Sequence, residues 1–242
     1  MKRTCLCLVA LVMLLALALP APAAGPGPGV SADAALKMLT DGNNRYAVAK
    51  AKHPHQNKAR RVLTATKGQT PFATILSCSD SRAPVELVFD QGVGDLFVVR
   101  VAGNVAGEDE IASMEYAGEH LHTPLLVVLG HSKCGAVTAV VEGAQLHGSL
   151  PALAAKIKPG VAKARAAHKD LKGAALLDAA ITANVLQAME DLFAKSPIIK
   201  DLVKAGKLKI MGAIYDLESG KVAWLGPHPQ EKELLGGKAE GK

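Results

Sequence analysis

The chain has 242 residues, 49% apolar but only 3% aromatic, so any core is built from Ala, Val, Leu and Ile. A formal charge of +6, from 28 basic and 22 acidic residues, is scattered along the chain, and no basic block is interleaved with aromatics. That distribution excludes a nucleic-acid partner, and the length suits one domain with a full hydrophobic core.

The N-terminus reads as a leader rather than as part of the fold. "MKR" is a short positive region, "TCLCLVALVMLLALALP" an uncharged apolar run, and "APAA" a small-residue box with Ala21 and Ala23 ahead of a cut at Ala24. Residues 1–24 are therefore expected to be an export signal, which places the mature protein outside the cytoplasm, in a bacterial periplasm. The run is short and is broken by Pro20 and Pro22, which argues against a retained membrane anchor. "GPGPGV" then makes residues 25–33 a flexible lead-in to a single catalytic domain over 34–228.

Ser31 or Asp33 can cap a helix running to about Ala49, weakened by Gly42 at its middle. Residues 51–70 are polar and basic and read as a loop. "PFATILS" (71–77), "DLFVVRVAG" (95–103) and "PLLVVLGH" (124–131) are short apolar runs of the kind that form buried strands. Between them "EDEIASMEYAGEHLH" (108–122) carries acids at its start and histidines at its end, matching a helix dipole. "CGAVTAVVEGAQL" (134–146) reads as a further helix. Residues 150–206 have helical spacing, interrupted by Pro159, Gly160 and Gly173. "KLKIMGAIYDLESGKVAWL" reads as two strands around Glu218-Ser219-Gly220, and residues 229–242 as a disordered tail. Apolar strands alternating with helices predict an α/β fold, a mainly parallel sheet with helices on both faces. In such sheets function collects at the carboxyl ends of the strands.

Three chemically distinctive residues fall at those ends. Cys78 follows the first strand, His131 ends the third, and Cys134 opens the next helix. With the leader removed, Cys78 and Cys134 are the only two of the four cysteines that remain. In an exported protein they suggest either one disulfide or a thiolate pair that joins His131 around a metal ion. Two sulfurs and an imidazole favour zinc over magnesium or calcium, with one position left for water. Asp80 and Arg82, two residues apart in "CSDSR", would face the same way in extended chain and pair, keeping the carboxylate ionised. A disulfide has no need of that pair, nor of Gly130 and Gly135 around a tight loop.

"CSDSR", followed 53 residues after its cysteine by "HSKC", resembles the β-class carbonic anhydrases. The likeness runs from about Ala34 to Leu225, through "GQTPFATILSCSDSRAP", "GDLFVVRVAGN", "IASMEYAGEHL", "LVVLGHSKCGAV" and "GAIYDLESGKV" in family order. The resemblance implies a four-stranded, mainly parallel core sheet extended by a further strand. It also implies a homodimer or larger even assembly with active sites near the dimer interface. The expected activity is reversible hydration of CO2 to bicarbonate and a proton, by attack of zinc-bound hydroxide, with one Zn2+ per chain.

Residue by residue, the resemblance makes Cys78, His131 and Cys134 the zinc ligands and Asp80 and Arg82 the catalytic pair. It makes Gln69 the group that hydrogen-bonds CO2 or bicarbonate, and Phe97 and Tyr116 the aromatic lining of the pocket. His120 and His122 are proton-shuttle candidates by type only. Some family members close the site by swinging the aspartate onto zinc, and bind bicarbonate through a Trp and an Arg. Arg100 is present here but Ile75 stands at the Trp position, so an open site at neutral pH is expected. A related zinc hydrolase of CS2 or COS, and a non-catalytic zinc- or anion-binding protein on the same scaffold, are the alternatives.

Overall fold

The computed structural model describes residues 27–237. The expected leader, residues 1–24, lies outside the described residues, as do positions 25, 26 and 238–242. Five strands form one sheet: β1 (Ala73–Ser77), β2 (Leu96–Arg100), β3 (Leu125–His131), β4 (Lys209–Tyr215) and β5 (Val222–Gly226). Their order is β2-β1-β3-β4-β5. β2, β1, β3 and β4 pair in parallel, and β5 returns antiparallel to β4 through the predicted turn.

The two central strands explain the near-continuous apolar runs. Every residue of β1 and β3 is buried, as parallel strands covered on both faces must be. Alternation along β3 divides its side chains between two layers. Leu125, Val127 and Leu129 pack with Ala35 and Leu39 of helix α1 (Ala32–Ala47) and with Val85 and Val88 of α3 (Val85–Val88). Leu126 and Val128 face α4 (Glu108–Glu119), α7 (Gly173–Lys195) and α8 (Pro197–Lys204). A third cluster, roofed by α5 (Gly135–Glu142), α6 (Leu150–Ala167) and α7, gathers Cys78 and Cys134 with Val137, Ile157, Val161 and Ile181.

Four local expectations are revised. The stretch 51–70 is not all loop: Asn57 caps a helix, α2 (Lys58–Lys67), by accepting from the Arg60 N–H. Its sequence hides it because none of its residues is buried within the chain. α1 runs through Gly42, which lets α3 approach, since a Cβ there would sit 1.8 Å from the Phe89 carbonyl oxygen. Pro159 and Gly160 do not interrupt α6, which runs through both. Gly160 is where α6 crosses α7, and a Cβ there would lie 2.8 Å from the Asn184 Cα. The stretch read as a tail is described as far as Gly237, and Glu231–Leu234 form a short helix, α9.

Candidate metal centre

β1 and β3 are neighbours and parallel, with Ser77 opposite Leu129, so the chain leaves both strands on the same side of the sheet. Cys78 is the first residue beyond β1 and His131 the last of β3. Cys134 occupies the N-cap position of α5, three residues further on, after a turn that places Lys133 at φ 55°. All three side chains are buried, and their ligand atoms, two Sγ and one ring nitrogen, lie within 4.8 Å of one another. Both cysteines are free, so the disulfide alternative is not the state observed.

The imidazole is oriented by its other nitrogen. Nδ1 of His131 lies 2.9 Å from the Ser132 carbonyl oxygen and donates to it. In the neutral ring Nε2 is then a bare lone pair, and that buried atom has no hydrogen-bond partner among the described residues. An orphaned ring nitrogen between two buried sulfurs fits a soft or borderline cation. The cysteines divide their titration. The neighbouring Cys134 thiol does most to lower Cys78, to about 4, against burial and with help from His131 and the N–H groups of Gly103 and Asp80. Cys134 is pushed up by the Cys78 sulfur and by burial, with the N–H groups of Ala136 and Val137 pulling the other way.

Asp80 and Arg82 meet in a turn rather than in extended chain. Arg82 donates from Nε to Oδ1 at 2.9 Å and from Nη2 to Oδ2 at 2.7 Å, and its own N–H also reaches Oδ1 at 2.9 Å. This grip holds the Asp80 carboxyl far below the usual carboxylate range. Oδ2 lies 3.8 Å from His131 Nε2, so the carboxylate borders the space between the ligands. Arg100 braces the same segment from β2, donating to the Cys78 carbonyl at 2.9 Å and the Asp80 carbonyl at 2.6 Å. Ile75 is fully buried in the layer facing α1 and α3.

Gln69, Phe97 and Tyr116 are not brought to this cluster within one chain. Gln69 is exposed and precedes β1, whereas Cys78 follows it. Phe97 pairs with Thr74 in the edge strand β2. Its ring lies 6.1 Å from that of Tyr116, which is 47% exposed. His120 packs at a tilt beside Tyr116, with ring centroids 5.2 Å apart.

Two contributors escaped the sequence reading. Gly103, in a 3-10 turn after β2, donates its N–H to Cys78 Sγ at 3.2 Å. Asn184, on α7, donates to the Gly103 carbonyl at 2.7 Å. A lone asparagine amid "DAAITANVLQAM" was the available signal, because a polar residue in so apolar a helix needs a buried partner.

A carbonic anhydrase family profile matches residues 73–222. Carbonic anhydrase 2 of Mycobacterium tuberculosis is 38% identical over 193 residues, covering 78% of this chain and 90% of the relative. Among solved structures, the β-carbonic anhydrase CafA of Aspergillus fumigatus is similar at TM-score 0.67 and 28% identity, covering 84% of this chain and 94% of that one. The β-carbonic anhydrase CcaA is similar at TM-score 0.65 and 27% identity, covering 85% of this chain and 100% of the other. With its profile match, its sheet order and its Cys-His-Cys cluster at the strand ends, the chain belongs to the β-class carbonic anhydrases, a family of lyases.

Proposed function

We propose that the protein is a zinc carbonic anhydrase that interconverts CO2 and bicarbonate, with Cys78, His131 and Cys134 holding the metal. The observation that carries this reading is a buried His131 Nε2 with no hydrogen-bond partner among the described residues, on an imidazole whose ligand atom lies within 4.8 Å of two free cysteine sulfurs. A donor set of two sulfurs and one nitrogen suits zinc and leaves a fourth position for a solvent oxygen. Bound there, zinc would supply Lewis acidity, which brings the pKa of water from about 15.7 toward about 7.

The chain's own residues do the rest. Asp80, kept ionised by Arg82, is purely an acceptor, so it fixes which way a water in the adjacent space points its hydrogens. Arg100 holds the backbone that carries both Cys78 and Asp80. Burial excludes bulk water from the ligand side chains. A non-catalytic binding protein has no use for an orienting carboxylate.

The assembly we propose is a homodimer, or a larger even assembly, that completes the site. β2 is a sheet edge, with four of its five residues half-buried, and its free backbone groups are a template for a second strand. α2 has no fully buried residue in its own chain, yet exposes Val62 and Leu63. Pairing across this side would let a second copy present Gln69, Phe97 and Tyr116 to the mouth of the first copy's metal site. No described helix is long and apolar enough to cross a membrane. The leader-like residues 1–24 support export to a periplasm.

The deciding experiment is a metal count on the mature protein beside stopped-flow CO2 hydration, with and without chelator. One zinc per chain and chelator-sensitive hydration are expected. Parallel traces with CS2 and COS should show no faster turnover. A metal-free protein of undiminished activity would overturn the reading.

A further inference from the structure

We infer that Asn184 is a positioning residue for the Cys78 thiolate, acting through Gly103. The inference rests on the metal reading above and concerns a residue that reading does not use. Asn184 lies in the middle of α7 and is buried, flanked along the helix by the buried apolar residues Ile181, Val185 and Ala188. An amide in such surroundings is costly unless paired. Its Nδ2 donates to the Gly103 carbonyl at 2.7 Å, across 81 residues of chain. Gly103 in turn donates its N–H to Cys78 Sγ at 3.2 Å. The glycine is thus gripped on both sides, by the helix through its oxygen and by the sulfur through its nitrogen.

The geometry leaves little other means of holding that turn. Gly103 has φ 75° and ψ 14°, a left-handed conformation natural only to glycine among unstrained residues. A Cβ there would lie 2.7 Å from Ile157 Cδ1, so no side chain can anchor the turn from this position. The amide that replaces such an anchor is itself fixed from behind, because α6 crosses at Gly160 and its backbone abuts that of Asn184. The pieces form one line: α6 against α7, α7 onto the turn, the turn onto the sulfur. N–H donation to a coordinating thiolate draws off part of its charge and fixes its direction. Such outer contacts typically govern metal affinity by about 10–100-fold.

The test uses the full mature chain loaded with zinc, and with cobalt(II) as a spectroscopic substitute. Asn184→Leu and the milder Asn184→Ser are compared with Leu192→Ala, a fully buried α7 position two turns away that belongs to a different apolar cluster from Cys78 and Cys134. Zinc affinity is read by competition with a chromophoric chelator, and the sulfur environment by the cobalt–thiolate charge-transfer band. Both Asn184 variants should bind zinc about 10–100-fold more weakly and shift the band. Leu192→Ala should lower Tm while leaving affinity and band in place. Unchanged affinity and band in Asn184→Ser would overturn the inference, even if Asn184→Leu fails to fold. Equal shifts in Leu192→Ala would overturn it too, by showing that loosened packing suffices. A wild-type protein with no cobalt–thiolate band would sink the metal reading and this inference with it, whereas a normal wild-type band with silent variants sinks this inference alone.

Discussion

Arg82 closes a two-pronged grip on Asp80, with contacts of 2.9 and 2.7 Å, and leaves Oδ2 of the carboxylate 3.8 Å from Nε2 of His131. The pair thereby separates two jobs, the arginine holding and the aspartate accepting.

That division predicts distinct losses. Asp80→Ala should retain one zinc per chain and lose CO2 hydration by about 10²-fold or more, the scale of a positioned proton-handling group. Arg82→Lys keeps a positive charge but not the fork, and should fall between Asp80→Ala and the wild type. Stopped-flow rates beside metal counts check both. Full activity in Asp80→Ala would remove the role given to that carboxylate.

The direction of the Asp80 shift sets the pH behaviour. The folded group binds its proton more weakly than the unfolded one, chiefly through the Arg82 hydrogen bonds. Its contribution to stability is therefore present above the ordinary aspartate value of about 4 and is lost as pH falls toward the depressed folded value. Across neutral pH the carboxylate stays ionised and tied to Arg82, so an open site is expected. Arg100 is already committed to the carbonyls of Cys78 and Asp80, and Ile75 is core. The CO2-hydration profile should show no bicarbonate-dependent lag. An apparent pKa well above 8 together with such a lag would contradict this.

On the proposed metal reading, stripping the ion would expose the sulfurs to each other. Cys78 and Cys134 lie within 4.8 Å and Cys78 is readily a thiolate, so chelator-stripped protein in air should lose two titratable thiols. Reductant plus zinc should restore both thiols and activity. Thiol counts that stay constant in air would show the pair too rigid to join.

Gly42→Ala offers a check on the packing of α1. The added methyl would meet the Phe89 carbonyl oxygen at 1.8 Å, so the backbone must shift. A loss of about 1–3 kcal/mol or more is expected, visible in thermal unfolding. Wild-type stability in this variant would mean that α1 moves aside freely.

The unpartnered edge predicts the assembly. Val62→Glu with Leu63→Glu alters residues that are exposed in a single chain, so the fold should survive. Sedimentation should then show monomers, with activity falling in parallel because Gln69, Phe97 and Tyr116 no longer reach a neighbour's site. An unchanged sedimentation coefficient would place the interface elsewhere.

What could be read in advance follows from where burial leaves a pattern. The runs ending at Ser77 and His131 are apolar throughout because both faces of β1 and β3 are covered, and their ends marked Cys78 and His131. α2 left no such mark, since none of its residues is fully buried and Arg60 ties it to the chain by polar contacts. Gly103 was absorbed into a strand read as far as residue 103, whereas β2 stops at Arg100 and the chain turns. Pro159 and Gly160 looked like breaks because local propensity opposes them, but the close crossing of α6 over α7 overrides it. Asp80 and Arg82 were paired correctly on an incorrect picture, for a turn and not an extended strand brings them together.

Cys78 and His131 sit 53 positions apart on adjoining strands that run the same way, joined by a crossover that includes β2 and α4. The cation we propose they share would staple the middle of the sheet across that long excursion. Its loss should therefore be felt first as faster opening of the whole β1–β3 seam, rather than as fraying at the rim.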